Sequence, residues 1–306
     1  MLMATVASPA PALDLLRVGK ASATTFAFTP LEIGTEIGVW ARHGLAVQSI
    51  GFSGDARMQQ AMVANSIDLE LGSGPGLGFI AKGVPVRGVA VLANEPMAMG
   101  LTVGKNSPVK RPEDLKGATV SISTVGSLTF WLAQELSRQM GWGPGGIKAV
   151  SIGVNAAHVA ALKTGQVQGI ITSSSIGYML EKTGDGHVLI EFGKIVKDFH
   201  THVISATNDL MANRPDRLRR FLAGWIEVVE YMYSHRDETI RMARAVSGLP
   251  EDIQAREYDN AMPMMSRDLH FRPKALEVLA RTFTELEILP KTPDMKSLYT
   301  EEFLPK

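Results

Sequence analysis

The chain has 306 residues, more than a typical single domain holds, which points to two domains or one large one. Apolar residues make up 45% and charged residues 20%, as in a packed globular protein, and Lys plus Arg balance Asp plus Glu at 31 each, which argues against nucleic-acid and membrane-surface partners. With no cysteine, disulfides, thiolate metal sites and thiol nucleophiles are excluded, and no run of about 18 apolar residues is present to span a membrane.

The first stretch, MLMATVASPAPALDLL, carries Ala, Ser and Pro in a pattern like the end of a secretion leader. It lacks a basic start and an apolar stretch of adequate length, so either a leader has been trimmed or the protein is not exported by that route. LLRVGK (15–20) reads as a strand opening into the loop ASATTFAFTP. A helix is predicted over Leu31–Arg42, with Ile33, Ile37 and Trp40 on one face and Gly44 at the C-terminal cap. LAVQSIGF alternates as a strand, Asp55 is placed to cap a helix ending at Ala64, and IDLEL is a strand running into GSGPGLG. MGLTVGKNSPVKRPEDLKG then contains a strand, a Ser-Pro turn and a short helix begun near Pro112.

The unit at 50–74 recurs at 150–174 without a gap, at an offset of 100. Asp55 meets Asn155, both N-cap types, and Asn65 meets Gly165, the residue types that best accept a left-handed helix end. Only positions 56, 61 and 73 are identical to their partners, so what recurs is an order: strand, capped helix, turn, strand, small polar loop. Two lobes of similar α/β construction are the simplest account, and two unrelated βαβ units in one sheet are the alternative. HVISATND is a further strand. From about Pro215 the chain is predicted helical, with core stripes at Leu218, Phe221, Leu222, Trp225, Val229 and Met232, and again at Leu276, Leu279, Phe283 and Leu286.

Four loops at predicted strand ends are small and polar: ASATT (21–25), GSGPG (72–76), STVGS (123–127) and TSSS (172–175). Ligands of open α/β sheets bind outside the carboxyl ends of strands, and a helix N-terminus offers N–H groups and a dipole that favour an anion. STVGS fits both conditions, between the strand ATVSIS and the helix LTFWLAQELSRQM that Gly141 ends. The plain alternative is that Ser127 or Thr124 merely caps that helix. The Rossmann glycine pattern, the P-loop and the nucleophile elbow are all absent. His200 and His202 are the only close histidine pair and lack a third metal ligand, Glu32 and Glu36 read as a solvated helix face, and Glu70 is out of place inside IDLEL.

The run GVWARHGLAVQSIGFSGDARMQQAMVANSIDLELGSGPGLGFIAKGVPVRGVAVL resembles the first lobe of the nitrate/sulfonate/taurine-type ABC-transporter substrate-binding proteins, a group with members similar to the thiamine-pyrimidine synthesis proteins. VGKNSPVKRPEDLKGATVSISTVGS is similar to the start of that family's second lobe, and AALKTGQVQGI to its later repeat, so the likeness covers roughly 15–250.

The resemblance implies an α/β protein of the type II periplasmic-binding-protein fold: two α/β lobes joined by two hinge strands, with a helical C-terminal portion. Lobe one would be 13–101 plus 206–306 and lobe two 102–205, with crossings near Leu101–Val103 and His202–Ala206. It implies the solute-binding component of an ABC importer that captures a small organic or inorganic anion (sulfonate, nitrate or carboxylate, aromatic ones included). Such a chain is a monomer, periplasmic or extracytoplasmic and lipid-tethered, with a membrane permease and ATPase as partners, and without nucleic acid, cofactor, metal or catalytic residue. The family's binding loops fall on Ser22, Thr24, Thr25 and Phe26; Gly72, Ser73 and Gly74; Ser123, Thr124, Gly126 and Ser127; and Thr172, Ser173 and Ser174. None of these loops holds an arginine, although Lys20 flanks the first, so neutral N–H and O–H donors would carry the anion, and Phe26, Phe28, Met97, Met99, Phe130 and Trp131 are either cleft wall or core. A pyrimidine-synthesis enzyme on the same fold is the alternative, opposed by the missing cysteine-rich segment, and a ligand-sensing module with a separate partner is a third.

Overall fold

The computed structural model describes residues 12–153 and 156–306; most of the leader-like stretch at the N-terminus and the N-cap expected at Asn155 lie outside these residues. The first lobe begins β1 (Asp14–Lys20), α1 (Pro30–Glu36), α2 (Val39–Arg42), β2 (Leu45–Gly51), α3 (Asp55–Val63), β3 (Leu69–Ser73), α4 (Leu77–Ala81) and β4 (Val86–Ala93). The second holds β5 (Met99–Gly104), β6 (Thr119–Ile122), α5 (Leu128–Gln139), β7 (Lys148–Ser151), α6 (Ala156–Lys163), β8 (Gly169–Ser173), α7 (Ser174–Thr183), β9 (Gly186–Glu191) and α8 (Phe192–Ile195). The chain then returns through β10 (His202–Thr207) to α9 (Asn208–Asn213), α10 (Pro215–Ser234), α11 (Arg236–Ser247), α12 (Glu251–Ala261) and α13 (Pro273–Glu285).

The strands form two sheets, ordered β2-β1-β3-β10-β4 and β7-β6-β8-β5-β9. In each, β1 or β6 pairs parallel with both neighbours, and one antiparallel strand, β10 or β5, is inserted fourth. The expected crossings fall inside sheet strands. β5 pairs in the second sheet from Met99 and β10 in the first from His202, so the chain passes between the sheets at 94–98 and 192–201.

Local signals act as expected at several points. The helix end at Asn65 (φ 54°) and its counterpart at Gly165 (φ 74°) are both left-handed. The helix expected over Leu31–Arg42 is instead two short ones, because Gly38 between them adopts φ 75°. The stripe on α10 is buried, with Phe221 stacked on Trp40 in the first lobe's core. The C-terminal helices reach beyond that lobe. Trp131 of α5 donates from Nε1 to Thr282 Oγ1 of α13 at 3.0 Å and stacks on Phe199 at 4.1 Å. On the other side, Arg256 of α12 lies over the ring of Tyr178 on α7, and Asn260 donates to the carbonyl of Met97. The lobes are therefore packed against each other on two flanks.

Candidate functional site

The C-terminal ends of β1 and β3 in one sheet, and of β6 and β8 in the other, face a common cleft of about 540 Å³ counting the open space at its mouth. The cleft is placed where sheets of this topology bind ligands. Ser22, Thr25, Gly72 and Ser73 line it from the first lobe, and Ser123, Thr172 and Ser173 from the second. Phe28, Met99, Leu128 and Ile171 supply apolar walls.

The other expected contacts point elsewhere. Phe26 is buried edge-on against Tyr258 in the first lobe's core, and Thr24 sits in the same loop without lining the cleft. Gly74 is pressed onto the backbone carbonyl of His200, so its missing side chain makes room for the returning chain. Ser174 begins α7, fully buried, with its N–H on the carbonyl of Ala98. Gly126, at φ 82°, lies against the ring of Phe79 from the opposite lobe, and Thr124 packs onto Gly54 in the same way. Ser127 bonds to Ser123 Oγ at 2.8 Å, Thr129 Oγ1 at 3.0 Å and the carbonyl of Thr124 at 2.7 Å, which turns it into the loop instead of toward the cleft. Trp131 is core and Phe130 half-buried, whereas Phe28 and Met99 are wall.

The structure adds groups that the sequence did not mark for binding: Asp55, His202 and His158, with Gly54 and Thr129. Asp55 is not the N-cap; that place falls to Gly54, whose φ of 99° turns the chain so that Asp55 becomes the first helical residue. Its carboxyl is buried, with Oδ2 accepting from Ser73 Oγ at 3.2 Å and Oδ1 without a hydrogen-bond partner. Burial pushes it up to about 6, opposed by Ser73 and by the backbone N–H of Leu128 in the first turn of α5. The helix end expected to face a ligand anion thus faces a carboxylate of the opposite lobe. Glu257 of α12 stands in the same relation to α7: burial raises it to about 8, and the Ser175 backbone and hydroxyl oppose the rise.

His202 donates from Nδ1 to the carbonyl of Gly72 at 3.2 Å, because a carbonyl can only accept. Its Nε2 is then a bare acceptor, buried and unpartnered, and burial lowers the ring to about 4. His158 follows the same logic: Nε2 donates to the carbonyl of Gly153, Nδ1 is a buried acceptor without a partner, and burial lowers its pKa. His200 does not join them, since its Nε2 accepts from the Arg272 N–H, and among the described residues no cluster suited to a metal ion occurs.

Glu70 lies behind the cleft. Burial, then the nearby charge of Asp55, raises it to about 8, against hydrogen bonds from Ser205 and Gln59, the latter at 2.6 Å. Gly72 separates the two acids; a Cβ there would stand 3.1 Å from Asp55 Oδ1 and 3.5 Å from Glu70 Oε1. Lys20 is already engaged, donating from Nζ to Glu32 at 2.6 Å and to the Ala23 carbonyl at 2.8 Å. Among the described residues the cleft lining holds no lysine or arginine.

Two lobes of matching topology with one cleft between them define the periplasmic-binding-protein fold. The model of the NMT1/THI5-like family matches residues 25–239, well over half of the chain, and the protein belongs to that family. Three solved structures share the fold at identities that speak for the fold alone. The alkanesulfonate-binding protein SsuA of Xanthomonas axonopodis pv. citri, bound to MOPS, aligns with TM-score 0.82 and 19% identity over 96% of this chain and 99% of its own. The periplasmic aliphatic sulphonate-binding protein SsuA of Escherichia coli gives 0.74 and 22% over 96% and 92%. The periplasmic nitrate-binding protein NrtA of Synechocystis PCC 6803 gives 0.76 and 16% over 96% and 88%. Among curated protein sequences none matches.

Proposed function

We propose that the chain is the solute-binding component of an ABC importer, a monomer that captures a small solute outside the cytoplasmic membrane and presents its closed form to a permease and its ATPase. The observation that carries this is the composition of the cleft: loops of both lobes line it, so a solute touching Ser73 and Thr172 at once favours the closed arrangement over the open one. The neighbours' names concern sulfonates and nitrate, so small anions, organic ones included, are the first solutes to try, with the hydroxyls of lobe two as their donors. Another protein of this fold, DszB, is described with biphenyl-2-sulfinic acid (TM-score 0.66, 14% identity), so the fold also accepts aromatic solutes. A library of small anionic, neutral and cationic metabolites, screened by thermal shift with each compound assayed afterwards for consumption, tests the proposal. A compound that raises Tm and is recovered intact supports it. Consumption of a compound, or no shift with any, overturns it.

A further inference from the structure

Three acceptor atoms of the cleft lining lack a hydrogen-bond donor. Asp55 Oδ1, His202 Nε2 and His158 Nδ1 are all buried, all acceptors, and all without partners, on residues that line one cavity. Each histidine donates to a carbonyl through its other nitrogen, so in the neutral ring, the form that burial favours, the remaining nitrogen is an acceptor. Buried acceptors without partners are costly, and a site built around them rejects a solute that brings only more acceptors. No lysine or arginine of the described lining offsets them, and Lys20 is bound to Glu32. A bare anion beside the ionised Asp55 would add like charge to a buried carboxyl group.

We propose that Asp55 is the specificity-determining residue of the cleft and that the solute meets it with N–H donors, those of a protonated amine or amidine. This rests on the solute-binding function proposed above and specifies its solute. The rest of the solute remains free to carry acceptors for the hydroxyls of Thr172 and Ser173. Phe28 and Leu128, on the walls, favour an apolar or planar body.

Titration calorimetry with benzamidine, benzamide, benzoate and benzenesulfonate tests this, since the four share a body and differ in donors and charge. Benzamidine is expected to bind most tightly, and Asp55→Asn to weaken it by about tenfold or more. Tighter binding of benzoate or benzenesulfonate, or unchanged affinity for benzamidine in Asp55→Asn, overturns the inference while leaving a solute-binding protein in place. If none of the four binds, the hits of the metabolite library decide: amine- or amidine-bearing hits support the inference, hits without an N–H donor overturn it, and an empty library overturns both proposals. Should Asp55→Asn fail to fold, the ranking of the four probes on the wild-type chain decides alone.

Discussion

The two strand–helix–strand units, one in each lobe, share a backbone plan and fill it with opposite chemistry. At corresponding positions the first lobe holds Gln59 and Glu70, hydrogen-bonded and buried, while the second holds Val159 and Ile170 in an apolar cluster. Met58 is core, but His158 at the equivalent place reaches the cleft. Only the loop ends coincide, Gly72 with Thr172 and Ser73 with Ser173, and all four line the cleft. A repeated fold therefore positions equivalent loops without dictating their chemistry. The acidic character of the cleft belongs to lobe one, whereas its hydroxyls come from both lobes.

The comparison breaks most visibly if the acid is moved across. Ile170→Glu would place a carboxyl among Leu162, Val167 and Leu180, with only the hydroxyls of Thr102 and Ser121 on the flanking strands as donors and no amide like that of Gln59. A loss on the order of 4 kcal/mol is expected in denaturant unfolding. A loss below about 1 kcal/mol would show that lobe two tolerates an acid there and that the contrast is incidental.

A double-mutant cycle sharpens the same point. Gln59→Val alone, or Glu70→Ile alone, strands a buried partner and should cost about 1–3 kcal/mol, whereas the pair, copying lobe two, should cost less than the sum of the singles. The pH dependence supplies a second readout. Glu70 is raised from 4.5 to about 8 in the folded chain, so the fold holds its proton longer than the unfolded chain does. Its contribution is complete below pH 4.5, declines as pH rises toward 8, and the double variant should lose that decline. Additive costs together with an unchanged pH slope would mean that the pair is not a unit.

The smallest effect is expected at Ser127. Its three hydrogen bonds lie within the 123–129 loop, so Ser127→Ala should cost about 1 kcal/mol of stability and leave solute affinity unchanged. A fall in affinity without a fall in Tm would return Ser127 to the binding surface.

Much of this plan was legible in the chain. The offset of 100 and the left-handed ends at Asn65 and Gly165 are local signals, and they placed both units and the loops that end them at 72–76 and 172–175. The family likeness placed them in two lobes. What remained hidden depends on contacts between the lobes. An aspartate after a glycine at a helix start reads as a cap; only the 123–127 loop closing over Gly54 buries Asp55 and aims it at α5. Gly126 reads as room for a ligand, yet the room is taken by Phe79. His158 is isolated in sequence and His202 has only His200 near it, and nothing short of the tertiary pairing of β3 with β10 brings His202 to Gly72.

The central claim is that the lobes close on one solute, and the absence of cysteine allows it to be measured directly. Val63→Cys in the first lobe and Lys116→Cys in the second, both at exposed positions, give a spin-label pair for pulsed dipolar distance measurement. With the solute found in the library, the distance distribution should shift toward a single, shorter separation at saturation. A distribution unchanged by saturating solute would contradict capture by closure.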